Sequence, residues 1–322
     1  MVSRHNRILD RALSRLKLRQ LRLLEAVGKQ GSIQNAARDL GISQPAASKM
    51  IQDLELDFEV KLFDRTNRGV VPTVFGAALI RHAKLIFAQV SNAAQEIDDL
   101  GEGNSGRVVV GTLLAASPAL LPAAVDHLLR ARPKVAIKIV EGTNEVLMPA
   151  LLSGEIDMVV GRLPTHRHRS KVVQEAFFEE RVHAVVGPAH PLAQKPDIHF
   201  EQLRDFGWIL PPVETTLRRQ TDQFFVKQQQ FTPRVAFESV SYLANRSLLR
   251  SQPLISLMPA PVAALDIERD VLASLDWAVP FGAAPVGVSY RGEQSLSPAS
   301  TAFLDALRRA ASDIAAKGSN AR

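Results

Sequence analysis

Between residues 32 and 58 the apolar positions fall twice, in quick succession, into a helical period. Ile33, Ala36, Ala37 and Leu40 recur on one face behind Ser32, a residue suited to cap the first turn, and Gly41 follows as a left-handed stop. Ser43 then opens a second helix with Pro45 inside its first turn, where no amide donor is lost. Ile42 and Ala47 occupy the two positions of a hydrophobic staple. In the second helix Ala47, Ile51, Leu54 and Phe58 form one apolar stripe, and Gln44, Ser48 and Gln52 lie opposite it with Lys49 beside them. Two short helices around a tight glycine turn, the second with an uncharged polar face near its start, predict a helix-turn-helix.

From Thr73 to Leu100 the period lengthens into heptads. Leu79, Ala83, Ile86, Val90, Ala93, Ile97 and Leu100 form a narrow a/d seam, which buries itself best against a second copy and predicts a dimerisation helix. The competing reading is an amphipathic helix packed on its own domain. Beyond residue 106 the pattern alternates. Strands are expected at 108–110, 135–140 and 156–161, with helices at 118–130 and 144–153 between them, as in a parallel βαβ sheet. A second set follows, with strands near 172–186, 208–210, 234–238 and 254–257 and helices near 216–229 and 240–250. The chain closes on the strand-like VGVSYR and a helix over 298–316.

The stretch GEGNSG at 101–106 spells the G-x-G-x-x-G of dinucleotide-binding proteins. That fingerprint works only where a strand runs in and a helix opens out, so that the helix N-terminus faces the pyrophosphate. Here the order is reversed. Gly101, Gly103 and Gly106 therefore read as a helix stop and a hinge, and no nicotinamide cofactor is expected.

Charge changes the picture at one end. The chain of 322 residues carries a net charge of +6, yet residues 1–51 alone hold ten lysines and arginines against three acids, so the remainder is about neutral. A local basic excess is the footprint of a polyanion-binding segment. Glutamine pairs with adenine, serine reaches several base edges and lysine serves guanine or phosphate, which makes Gln44, Ser48 and Lys49 base-edge or phosphate candidates. A merely solvated helix face is the alternative for each.

The absence of cysteine excludes disulfides, thiol catalysis and cysteine-based zinc sites, and fits a reducing cytoplasm. The longest uncharged run, Val108 to Val125, contains Gly111, Ser117, Pro118 and Pro122 and reads as strand, loop and helix start rather than a membrane span. No export signal is expected, because no apolar stretch with a cleavage site follows the basic N-terminus. HRHR at 166–169 pairs two histidines without a third ligand at metal spacing, so it reads as a basic loop and no metal site is expected. No H-E-x-x-H, G-x-S-x-G or phosphate-loop motif is present, which argues against an enzyme.

SQPAASK, followed by LE, VKLFDR, RGVVPT and Gly76, resembles the winged helix-turn-helix of LysR-type transcriptional regulators over residues 18–80. EGTNEVLMPALLSGEIDMVVG and HPLAQ are similar to the same family's effector domain. The resemblance implies an α/β protein overall, with a winged helix-turn-helix (1–75), a linker and dimerisation helix with hinge (76–106), and a two-lobed, periplasmic-binding-protein-like effector domain (107–322). Lobe I would hold 107–162 and 266–322, and lobe II 163–265. It also implies a homodimer or homotetramer on an interrupted palindrome in promoter DNA, with RNA polymerase as a further partner.

Ser32, Gln34, Ser43, Pro45 and Gln52 join the DNA-facing set, and RTNRGV (65–70) becomes the wing turn with Arg68 at its tip. Arg65, nearer the helix, is more often an ion-pair partner. Two departures stand out: Phe58-Glu59 replaces the family's Leu-Gly at the end of the recognition helix, and Pro72 replaces a common leucine in the wing. LIRHA (79–83) is similar to the branch serving sugar-binding and aromatic-acid catabolic genes, which leaves a sugar, a sugar acid, and an aromatic or other organic acid open as effector.

In open α/β lobes a ligand binds beyond the C-terminal strand ends, where loops and helix starts supply donors. That rule selects Ser117, Thr143 and Asn144, then Thr215, Thr216, Ser239 and Ser241, with Arg218 placed either to pair with a ligand carboxylate or to face solvent. Helix capping is the competing role for each hydroxyl. A ligand-binding protein whose DNA module is only a tether is the second reading of the whole chain, and an enzyme the last.

Overall fold

The computed structural model describes residues 4–67, 69–102, 106–164, 172–228, 233–281 and 284–320. Contacts divide the chain into two compact units, Met1–Ser91 and Asn92–Arg322.

The first unit opens with α1 (Arg4–Arg15), which lies outside the expected elements, followed by α2 (Leu18–Gln30), α3 (Ile33–Asp39) and α4 (Gln44–Phe58). Strands β1 (Phe63–Thr66) and β2 (Gly69–Pro72) pair antiparallel as the wing, and α5 (Val74–Glu102) leaves it. Leu23, Leu24, Val27, Ala36, Ala47 and Leu54 are fully buried in one core, with small alanines where α3 and α4 meet. Ser32 accepts from the Asn35 amide and Ser43 from the Ala46 amide, while Gly41 takes the left-handed turn between the helices at φ 63°. Gly76 is obligatory: a Cβ there would stand 2.0 Å from the Leu62 carbonyl oxygen, so only glycine lets α5 cross the wing so closely.

Glu59 keeps the left-handed stop that the family usually gives to glycine, at φ 55°, so the recognition helix ends where it should. Pro72 fits at the last position of β2, opposite Phe63, where the missing amide interrupts no later pairing. The helix α5 runs through Gly101 to Glu102, so Gly101 is a helical residue and not the expected stop; Gly103 lies outside the described residues.

The second unit contains β3 (Arg107–Thr112), α6 (Leu120–Ala131), β4 (Ala136–Glu141), α7 (Asn144–Ser153), β5 (Met158–Arg162), β6 (Val173–Glu180) and β7 (Val182–Val186). It continues with β8 (Gly207–Leu210), α8 (Thr216–Gln228), β9 (Arg234–Glu238), α9 (Tyr242–Ser251) and β10 (Leu254–Pro259). Then come α10 (Ala260–Glu268), β11 (Ala273–Ser274), β12 (Ala284–Tyr290) and α11 (Pro298–Asn320). Two five-stranded mixed sheets result, ordered β4-β3-β5-β12-β6 and β11-β7-β10-β8-β9. In the first, α6 and α11 cover one face and α7 the other. The second buries Trp208 and Phe225 on one face, with the half-buried Trp277 against them, and packs α9 and α10 on the other.

The lobe boundaries differ from the expected ones. The single strand expected over 172–186 is two strands in different sheets: β6 pairs with β12 in the first, and β7 pairs with β10 and β11 in the second. The chain therefore crosses at Arg181 rather than near Arg162, and it returns after β11 rather than near Leu265. The extended stretch 172–186 gives no periodic sign of a sheet change, because two strands joined by a single residue read like one.

Candidate functional site

The recognition face is built from the start of α4. Gln44, Pro45, Lys49 and Gln52 are exposed, Ser48 is half-buried, and Gln34 is exposed on α3. The Gln44 side-chain amide donates to the Ser48 hydroxyl at 3.1 Å, so these two groups hold one another in place. The hydroxyls of Ser32 and Ser43 are taken up in capping α3 and α4, and their local role is to set the two helix starts. Arg65 is exposed on β1, and no ion pair of it is seen among the described residues. Arg68 lies outside them.

Two features behind this face escaped the pattern reading. Glu55 reaches back from α4 to accept the amides of Leu62 and Phe63 at 2.8 and 3.4 Å, which ties the recognition helix to the entry of the wing. Arg11 of α1 pairs with Glu59 at 2.9 Å. A glutamate on a helix face carries no sequence sign of a backbone target seven residues on.

The heptad seam divides in use. Ala83 is fully buried and Leu79 half-buried in the first unit's own core, because α5 begins by packing on that domain. These two are therefore corrected to domain packing. Ile86, Val90 and Ile97 are exposed at 37%, 50% and 69%, Ala93 is exposed as well, and the side chain of Leu100 lies outside the described residues.

In the second unit a cavity of about 610 Å³ lies at the strand ends of both sheets. Ser117, Thr143 and Asn144 line it beside Thr215, Thr216, Ser239 and Ser241, so seven of the eight expected residues converge on one space. Arg218 is the exception and a correction. It does not line the cavity, and its guanidinium is committed to both carboxylate oxygens of Asp222 at 3.0 Å, Glu238 at 3.3 Å and the Pro211 carbonyl at 3.1 Å. Several hydroxyls also serve locally: Thr215 accepts from the Arg218 amide, Ser241 from Ala244 and Ser239 from Ser241.

Sequence reasoning missed Arg162, Tyr242, Asn245 and Ser256, which also line the cavity. Arg162 ends β5 and pairs at 3.1 Å with Glu180, whose side chain is fully buried at the end of β6. Burial pushes the Glu180 carboxyl above the usual glutamate range, although Arg162 pulls the other way. The Tyr242 hydroxyl donates to Asp266 at 2.5 Å, and its pKa is pushed up to about 12 by burial and by that carboxylate. Asn144 and Asn245 are both buried, and each has an amide oxygen without a partner.

Among the described residues no group of three histidines, aspartates or glutamates could hold a metal ion, and no helix is long and apolar enough to cross a membrane. The HRHR stretch lies outside those residues. GEGNSG runs from the end of α5 toward β3, the order opposite to that of a dinucleotide fingerprint.

Comparison with known proteins supplies the family. Residues 18–77 match the bacterial regulatory helix-turn-helix proteins of the lysR family, and residues 101–312 match the LysR substrate binding domain. The chain is 32% identical over 302 residues to the transcriptional regulator GbpR of Azospirillum brasilense, spanning 93% of this chain and 88% of that one. It is 29% identical over 300 residues to the regulator PcaQ of Agrobacterium fabrum, spanning 93% and 96%. Its fold is shared with CbnR, a LysR family transcriptional regulator, at a TM-score of 0.64 and 22% identity over 92% of this chain and 99% of that one. The full-length CbnR complex with its target DNA aligns at 0.63. With a helix-turn-helix at one end and a substrate-binding domain over most of the rest, the chain belongs to the LysR family of DNA-binding transcriptional regulators.

Proposed function

We propose that the protein regulates a promoter as a homodimer or a dimer of dimers, and that a small molecule seated in the 610 Å³ cavity switches it. The carrying observation is the convergence of seven polar side chains from the ends of two sheets on one space, in a chain whose other end reads DNA. In each dimer two α4 helices would lie on the half-sites of an interrupted palindrome, with Gln44, Ser48 and Lys49 toward base edges or phosphates. The exposed Ile86, Val90 and Ile97 of α5 supply a seam for the second copy.

A ligand that favours one arrangement of the two halves rotates the DNA-binding modules, alters DNA bending and changes recruitment of RNA polymerase. This requires different affinity for the two arrangements, since equal affinity shifts nothing. The ligand class comprises sugars, sugar acids, and aromatic and other organic acids. The protein acts by binding, without turnover.

Selection of genomic fragments by the purified protein, followed by footprinting, tests the reading. One promoter with a palindromic footprint is expected. Gln44→Ala should weaken that site while sparing nonspecific binding, whereas Lys49→Ala, if it meets phosphate, should weaken all DNA and flatten the salt dependence. Random fragments whose binding vanishes with salt would instead make the module a tether.

A further inference from the structure

We propose that the cavity takes a neutral, hydroxyl-rich molecule of monosaccharide size and discriminates against acids of the same skeleton. The inference rests on the cavity being the effector site and narrows its ligand.

The first argument is the charge inventory of the wall. Its charged side chains are Glu141, Glu145 and Arg162. Arg162 is already neutralised by the buried Glu180, and the nearby Arg246 is held at 2.7 Å by Asp266 behind Tyr242. Arg218 is committed to Asp222 and Glu238, and Arg219 stands 3.9 Å from Glu145. Glu141, exposed at the end of β4, has no cationic partner among the described residues. Each of these arginines thus has at least one carboxylate partner, Arg218 has two, and Glu141 is unmatched among the described residues. A ligand carboxylate entering this wall meets net like charge.

The helix starts at the cavity do little to reverse that balance, because α8 and α9 are answered by hydroxyls of the chain and α7, which has no side-chain cap, carries a carboxylate in its first turn. Glu145 lies in the first turn of α7, the Thr215 hydroxyl accepts from the first turn of α8, and the Ser241 hydroxyl caps α9.

The second argument is the type of polar group left unpaired. Asn144 is 9% exposed, and its side-chain nitrogen donates to the Arg162 carbonyl at 3.1 Å, which fixes its oxygen as an acceptor without a partner. The amide oxygen of Asn245, 7% exposed, is unpartnered as well. Together with Glu141, these acceptors call for donors. A hydroxyl offers a donor and an acceptor at once, whereas a carboxylate offers no donor. The ligand's own oxygens can be met by the unpaired Arg162 Nη1 and by the hydroxyls of Ser117 and Thr143. Leu113, Ile209 and Met258 add apolar area to the wall that suits the C–H faces of a sugar ring.

Calorimetry on the full-length protein with matched pairs decides the matter: common aldohexoses and aldopentoses, each against its own aldonate and uronate, with benzoate as an aromatic acid. At least one neutral sugar should bind saturably and about tenfold or more tightly than its acids. Glu141→Gln combined with Glu145→Gln should narrow that gap. Ser117→Trp, or Thr216→Trp if the first variant does not melt cooperatively, should abolish the binding by filling the space. An acid that binds as tightly as its neutral partner, with heat removed by the filling variant, overturns the ligand class and leaves the cavity as effector site. A panel in which no compound gives heat that the filling variants remove overturns both.

Discussion

Arg11 Nη1 lies 2.9 Å from Glu59 Oε1, so the first helix of the chain grips the residue at which the recognition helix stops. Glu59 holds a left-handed φ of 55° without being a glycine, a conformation that costs an L-residue about 1 kcal/mol. The ion pair returns less than this, because both groups are partly solvated. Glu59→Gly is therefore expected to raise the stability of the first unit by roughly 0.5–1 kcal/mol, read as a higher melting temperature. A lower melting temperature would show that the grip of α1 outweighs the backbone strain.

Glu55 has the opposite balance. Its carboxylate accepts the amide of Leu62, a residue only 1% exposed, at 2.8 Å. Glu55→Ala leaves that buried amide unpaired and should destabilise the domain by about 1–3 kcal/mol, with DNA affinity falling as the wing loses its tie to α4. Glu55→Gln keeps an acceptor and should lose less. Urea unfolding of the two variants separates them; equal losses would mean that the charge, rather than the hydrogen bond, holds the wing.

The seam on α5 offers Ile86, Val90 and Ile97 to solvent in the single chain. Val90→Glu with Ile97→Glu should shift the protein to monomer in sedimentation at micromolar concentration, and half-site binding should replace the full footprint. An unchanged sedimentation coefficient would move the dimer contact elsewhere.

Glu175 sets an acid limit. Arg308 binds both of its oxygens at 3.0 and 2.8 Å, and the Tyr290 hydroxyl donates at 2.6 Å. The Arg308 hydrogen bond, aided by Tyr290 and opposed by partial burial, holds the Glu175 carboxyl below the usual glutamate range. A folded pKa below the unfolded one means stability that is present above the ordinary glutamate range and lost as pH falls through the lowered value. Glu175→Gln should flatten that limb of the pH–stability curve while leaving its high-pH side unmoved. Chemical unfolding at a series of acid pH values reads it directly, and an unchanged slope would remove Glu175 from the account.

Local signals carried far in this chain. Ser32, Gly41, Ser43 and Pro45 mark the ends of α3 and α4 within the sequence itself, because caps and left-handed turns are decided by one or two residues. The strand-end rule likewise gathers Ser117, Thr143, Asn144, Thr215, Thr216, Ser239 and Ser241, which all line one cavity. What stayed hidden depends on distant partners. The sheet change at Arg181, the use of Ala83 inside its own domain and the diversion of Arg218 to Asp222 and Glu238 are settled by packing across the fold. Arg162 escaped for the same reason, since its role depends on Glu180 and Asn144, and Asn245 escaped because a position inside a helix carries no sign of which face lines a cavity.

One residue occupies two stations at once. The carbonyl of Arg162 accepts from Asn144 at the cavity wall, and its guanidinium holds Glu180, the residue before the chain passes from the first sheet to the second. On the proposed function, a ligand that reorients Asn144 would act on the crossing through Arg162 alone, without a relay across the hydrophobic core. Cavity wall and sheet crossing thus stand within one arginine's length of each other.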